Sequence, residues 1–334
     1  MTSIFQNRTR PATSRTVSFL RAVAVLCAWG MLAARPVCAV ASPPKSEIPS
    51  YVAMRLESGK QNQFFVGARI NGRRAVLIVD TGSPITCIDA SKARPFGLKP
   101  FAGSKDIPAT VIANGETHRV TLIPSMRMGL LELKDTPAAL IDLGEINRQL
   151  RATHDKPVDG ILGLDLLFAL KAVLDCGRHE LILKTNLAVK SPFAATLKRG
   201  GWMPVPMRVV EGHLLVNGRV NAAAASFVVD TGSPVSALDR AFCASHKIVP
   251  SRKTFASRGI HFDDTGAGIA WVENFQIGKY DARRTPVAVF DLARLLRSAR
   301  NGLQGSGLLG SHTLQKNLGV IDCEGLRIWL KHGK

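Results

Sequence analysis

The sequence is short of acid and of aromatic rings. Against 44 lysines and arginines stand 25 aspartates and glutamates, and aromatics make up 6% of its 334 residues, with Tyr51 and Tyr280 the only tyrosines. The basic residues are scattered, without a dense run and without the interleaved aromatics of a base-stacking platform, so no nucleic-acid partner is expected. What remains is a solvated basic surface, compatible with weak contact with an anionic envelope. The eight histidines are dispersed, with no His-Glu-x-x-His pair and no convergent His/Asp spacing, so no metal is expected. There is no Gly-x-Ser-x-Gly, no Cys/His nucleophile arrangement and no phosphate loop, and the chemistry therefore needs no cofactor. Apolar runs of membrane length are lacking too: the stretch from Ala22 to Ala34 is too short for a comfortable span, and Arg35 and Pro36 interrupt it.

That short run belongs to a leader. Arg8, Arg10, Arg15 and Arg21 precede it, and small residues around Ala39 and Ala41 follow, which is the layout of a secretory signal peptide over residues 1–41. A mitochondrial presequence shares the Arg- and Ser/Thr-rich, acid-free composition, but an amphipathic transit helix does not need a compact apolar block ending in small residues. The mature chain is therefore expected to be exported, periplasmic or secreted. It keeps Cys87, Cys176, Cys243 and Cys323. Four cysteines in an exported protein allow three connectivities, one of them pairing Cys87 with Cys176 and Cys243 with Cys323.

What the chain has in abundance is itself. IVDTGSPIT, from Ile78 to Thr86, returns as VVDTGSPVS from Val228, and the likeness extends on both sides. Met126 to Leu143 answers to Phe275 to Leu292, Gly160-Ile-Leu-Gly163 to Gly307-Leu-Leu-Gly310, and Val173 to Leu183 to Val320 to Leu330. Conserved order and spacing mark a tandem duplication. Each half reads as short Val/Ile/Leu/Phe runs between Asn-Gly and Pro-containing turns, hence as β-structure. Asp89 and Asp239 are expected to cap short helices. The expected division is an N-terminal lobe over residues 42–184, a linker over 185–201 and a C-terminal lobe over 202–334.

An apolar strand that delivers an aspartate and then turns at glycine lets backbone N–H groups approach the carboxylate. Two such sites across a pseudo-two-fold axis make a pair that shares one proton, because like charges at that distance do not both ionise. One member then serves as acid and the other as base.

On these motifs, Asp80-Thr81-Gly82-Ser83 and Asp230-Thr231-Gly232-Ser233, each with an apolar-apolar-Gly partner at Ile161-Leu162-Gly163 and Leu308-Leu309-Gly310, the chain resembles the retropepsin-like and pepsin-like aspartic proteases, in the form of two tandem domains. The resemblance implies an all-β, bilobal fold of two β-barrel lobes with short helices. It implies an endopeptidase acting on peptide or protein substrates, with Asp80 and Asp230 holding the nucleophilic water. Thr81 and Thr231 would lock the two loops, Gly82 and Gly232 supply close backbone donors, and Ser83 and Ser233 donate hydroxyls to the outer carboxylate oxygens, which would lower the pair's titration and favour acidic pH. With both aspartates in one chain a monomer is expected. A covering hairpin is expected near Thr110 to His118, and a second cover over Gly259 to Trp271. A further Asp-Thr-Gly at Asp264 has no apolar strand leading into it and reads as a loop tip. The rival reading is a bilobal peptide-binding or scaffold protein without catalysis.

Overall fold

A computed structural model describes residues 49–113, 116–250, 268–292 and 305–332. The leader over 1–41, the hairpin tip at Asn114 and Gly115 and the Asp264 loop lie outside the described residues.

In the first lobe Phe64–Ile70 and Arg73–Val79 form a hairpin, turned by Asn71 and Gly72 at φ 48° and 81°. Two residues at positive φ match the twist of the flanking strands, which is why Asn-Gly stands there. Beside Arg73–Val79 runs Gly160–Leu162, in parallel, followed by Cys87–Asp89, Leu131–Ile141 and Glu116–Met128, which pairs back onto Phe64–Ile70 and closes a barrel of six strands. Phe64, Leu77, Ile123, Met126 and Met128 fill its interior. Each such side chain contributes about 1.5–3 kcal/mol on leaving water.

The second lobe repeats the plan with His213–Val220, Ala223–Asp230, Gly307–Gly310, Ala237–Asp239 and Thr285–Phe290. Its returning strand is broken: Gly268–Val272 pairs with Thr285–Phe290, and Phe275–Ile277 with His213–Val220. At the break, the N–H groups of Glu273 and Asn274 donate to Asn221 Oδ1. Phe227 and Phe275 pack in this interior, ring centroids 5.0 Å apart.

A third layer joins the lobes. Tyr51–Arg55, Glu180–Lys184, Val173–Asp175, Val320–Asp322, Arg327–Leu330 and Met203–Val210 make one antiparallel six-stranded run, in which Leu174 of the first lobe faces Ile321 of the second. Lys184, buried, extends its ammonium to Glu324 of the other lobe at 2.6 Å. The connection at 185–201 holds a helix, Phe193–Arg199, packed against this sheet.

Asp89 caps a 3-10 turn, Ala90–Lys92, and Asp239 accepts the N–H groups of Ala241 and Phe242 at the start of Arg240–Ser245. The four cysteines are separate buried thiols, not disulfides. Cys87 lies in a different apolar cluster from Cys176, and Cys176 and Cys323 stand at opposite ends of their paired strands, against Gly319 and Ala172. Among the described residues no helix is long and apolar enough to cross a membrane.

Candidate active site

Asp80 leaves the end of Arg73–Val79 with its N–H on Leu162 O, and Asp230 ends Ala223–Asp230 opposite Gly310. In both lobes a parallel neighbour carries the strand to the lobe interface and a glycine turns it there. The second glycine lies directly behind: a Cβ on Gly163 would come within 2.4 Å of the Ile85 carbonyl, and one on Gly310 within 2.3 Å of that of Val235. Real Cβ atoms do not approach so closely, so only glycine lets the two loops nest.

The carboxyls meet across the interface. A Cβ on Gly82 would lie 2.5 Å from the Asp230 carboxyl carbon, and one on Gly232 2.5 Å from that of Asp80. Each glycine thus faces the aspartate of the opposite lobe. Gly82 N–H donates to Asp80 Oδ1 at 2.7 Å, and Ser233 N–H to Asp230 Oδ1 at 2.9 Å. Thr81 N–H donates to Thr231 Oγ1 at 3.0 Å, and Thr231 N–H to Thr81 Oγ1 at 3.1 Å. Their hydroxyls donate onward to Val229 O and Val79 O, both at 2.8 Å.

Both aspartates are almost wholly buried and hydrogen-bonded to each other. Burial is the main influence on each. It holds Asp80 well above the usual carboxylate range, with the charge of Asp230 adding to the rise. Asp230 is pushed up to about 6, its rise moderated by the N–H of Ser233, the Asp80 carboxyl and the N–H of Gly232. Both carboxyls are thus raised, and they titrate as one coupled pair that holds a proton between them.

The serines correct the expectation from sequence. Ser83 Oγ donates to Ile85 O at 2.7 Å and Ser233 Oγ to Val235 O at 2.9 Å. With its one proton committed to a carbonyl two residues on, neither hydroxyl donates to a carboxylate, and the pair titrates high rather than low.

Several contributors were not singled out from the sequence. Thr86 Oγ1 accepts Gly163 N–H and donates to Asp165 Oδ1; Ser236 Oγ accepts Gly310 N–H and bonds Thr313 Oγ1. The signal was present, since Thr86 and Ser236 close the repeated nonapeptide. Ser311 donates to Thr231 O at 2.6 Å, and the first lobe has Leu164 at that place. Thr110–Ala113 pairs with Glu116–Met128 as a hairpin in the stretch where a cover was expected, with Ile112 exposed on it. Of the second cover, Gly268–Val272 is described and is a strand. Among the described residues no group of His, Cys, Asp or Glu is arranged to hold a metal ion.

No curated protein matches the chain. Among solved structures it resembles an aspartic proteinase from Irpex lacteus, at 14% identity and TM-score 0.50, over 85% of this chain and 98% of that one. It also matches a retropepsin-like aspartic protease from Rickettsia conorii at 20% identity and TM-score 0.28, over 40% of this chain and 90% of that one. Conglutin gamma, a basic 7S globulin from lupine seeds, matches at 12% identity and TM-score 0.47, over 86% of this chain and 96% of that one. The likeness to the Irpex enzyme is one of fold. The family pattern described as aspartyl protease matches twice, over residues 66–166 and 216–313. Matched twice, once around Asp80 and once around Asp230, this chain belongs to the aspartyl protease family.

Proposed function

We propose that the protein is an aspartic endopeptidase that hydrolyses peptide bonds with a water activated between Asp80 and Asp230. The observation that carries this reading is the reciprocal approach of the two loops, each glycine against the opposite carboxyl and each threonine bonded into the opposite strand. Degeneration of one lobe would have broken that reciprocity.

In this reading ionised Asp230 takes a proton from the water as its oxygen attacks the carbonyl carbon of the scissile amide. Asp80 gives its proton to the carbonyl oxygen, and a gem-diol results. Collapse breaks the C–N bond, the amide nitrogen leaves with the proton that Asp230 had taken, and Asp80 is reprotonated from the diol. Threonine cross-bonds hold the carboxyls in register, so little reorganisation accompanies the proton transfers. The hairpin at Thr110–Met128 covers an extended peptide in the cleft.

Residues 1–41 serve as an export signal removed near Ala39 or Ala41, and the mature enzyme works as a monomer outside the cytoplasm, since both halves of the site come from one chain. Cleavage of a peptide library by the purified mature chain, with Asp80→Asn as control, tests the activity. Binding of peptides without cleavage at any pH would replace it with the scaffold reading. N-terminal sequencing of the exported protein is expected to begin at Val40 or Ser42, and light scattering during turnover to give the monomer mass.

A further inference from the structure

The hairpin of Met203–Val210 and His213–Val220 turns at Glu211 and Gly212, both at positive φ, 49° and 76°. So tight a turn leans on the other lobe: a Cβ on Gly212 would lie 3.2 Å from Pro84 Cβ, in the catalytic loop of Asp80. His213 follows, 1% exposed, and its ring N–H donates to the carbonyl of Gly82. Gly82 lies against both carboxyls, its N–H on Asp80 and its α-carbon facing Asp230. One imidazole from the second lobe therefore braces the glycine that packs against both carboxyls.

The first lobe fills the same post differently. Phe65 pairs with Ile78 as Leu215 pairs with Val228, so counting back two residues makes Gln63 the equivalent of His213. Gln63 is also fully buried, and its loop leans the opposite way, Asn62 O accepting Gln315 Nε2 at 2.8 Å from the second lobe. Unlike the His213 ring, the Gln63 amide is buried with neither its Nε2 nor its Oε1 hydrogen-bonded among the described residues.

We propose that His213 is a positioning residue for the catalytic pair, an imidazole that holds Gly82 against Asp80 and Asp230. The kinetic part rests on the peptidase reading. The groups that face the ring are Asp80 and Asp230 beyond Gly82, Glu211 at the turn, half-buried, and Arg208 on the paired strand, exposed and bound to Asn217 Oδ1. Burial holds the ring down to about 4, against its ordinary 6.5. The stability that depends on a neutral ring is complete above pH 6.5 and is lost as pH falls toward 4.

The test compares His213→Ala and His213→Gln, the latter being the first lobe's own choice, in the mature chain. A displaced catalytic peptide is expected to lower kcat of His213→Ala by about 10- to 100-fold, with KM changed by less than about threefold. His213→Gln, which keeps an N–H donor, is expected to restore most of the loss, and it removes the stability loss between pH 6.5 and 4 in urea melts. Wild-type kcat in His213→Ala, a loss confined to KM, or no rescue by Gln would overturn the proposal. If His213→Ala does not fold, an unchanged acid profile in His213→Gln overturns it as well. If the wild type cleaves nothing, the peptidase reading fails separately, and the 13C carboxyl titration of Asp80 decides: a shift between wild type and His213→Gln supports the brace, identical curves refute it.

Discussion

Thr81 and Thr231 each accept the other's backbone N–H while donating to a carbonyl of the opposite strand, Val229 and Val79. Four buried bonds thus cross the interface within two residues of the paired carboxyls. Replacing either threonine by alanine leaves a buried N–H and a buried carbonyl without partners, and the expected cost is about 2–5 kcal/mol. Serine in the same place keeps both bonds and is expected to recover most of this. Urea melts of Thr81→Ala, Thr231→Ala and the double variant check it, each single variant breaking its own two of the four bonds and the double breaking all four.

Asp80→Asn and Asp230→Asn are each expected to lower kcat by about 10²–10⁴-fold, the range for a positioned acid or base. The double variant should fall little further, since the carboxyls act as a unit. Stability moves the other way. The raised carboxyl pKa values favour the neutral forms in the folded chain, so stability from these groups is complete below about pH 4 and is lost as pH rises through about 6 at Asp230. Asparagine is free of that loss, and both variants are expected to be more stable than wild type at pH 8, on the order of 1–3 kcal/mol, with the gap closing below pH 4.

The same shifts set the pH profile. On the peptidase reading one carboxyl must be ionised and the other protonated, so kcat/KM is expected to rise as pH passes about 6, where Asp230 ionises, and to fall at higher pH as Asp80 loses its proton. Ser83→Ala and Ser233→Ala are expected to leave both limbs in place, because their hydroxyls end on Ile85 O and Val235 O. Acid limbs that move in these variants would restore the direct serine–carboxylate bond.

Local signals in the sequence were sound where one short stretch settles a geometry. The Asp-Thr-Gly turns, the glycines behind them and the caps at Asp89 and Asp239 each depend on neighbours a few residues away. Partners supplied by the return of the chain were not legible. Ser83 has two acceptors within reach, a carboxylate and its own chain two residues on, and only the loop's path chooses between them. Cys87 and Cys176 share a lobe but not an apolar cluster, so counting thiols could not reveal that they stay apart. His213 and Gln63 look unrelated as letters and become equivalent only through the register of their hairpins.

Lys184 provides a prediction remote from the chemistry. Its buried ammonium is bonded to Glu324 across the lobes. Glu324→Ala strands that charge and is expected to cost about 3–5 kcal/mol, while Lys184→Met with Glu324→Gln is expected to cost far less, because no unpaired charge stays buried. Thermal melts of the single and paired variants check it.

The six-stranded run that joins the lobes also has a consequence for how the chain comes into being. Val173–Asp175 belongs to the first lobe by sequence, yet one of its two partners is Val320–Asp322, nearly the last strand to be made. During synthesis the finished first lobe therefore presents a bare strand edge, with its hydrogen-bonding groups unmet, until almost all of the second half has followed. A bare edge of this kind accepts any matching strand, including the same edge of another newborn chain. Mutations that slow the second lobe's folding should thus appear as aggregation of the first, and a chain cut at the connector should seek a twin.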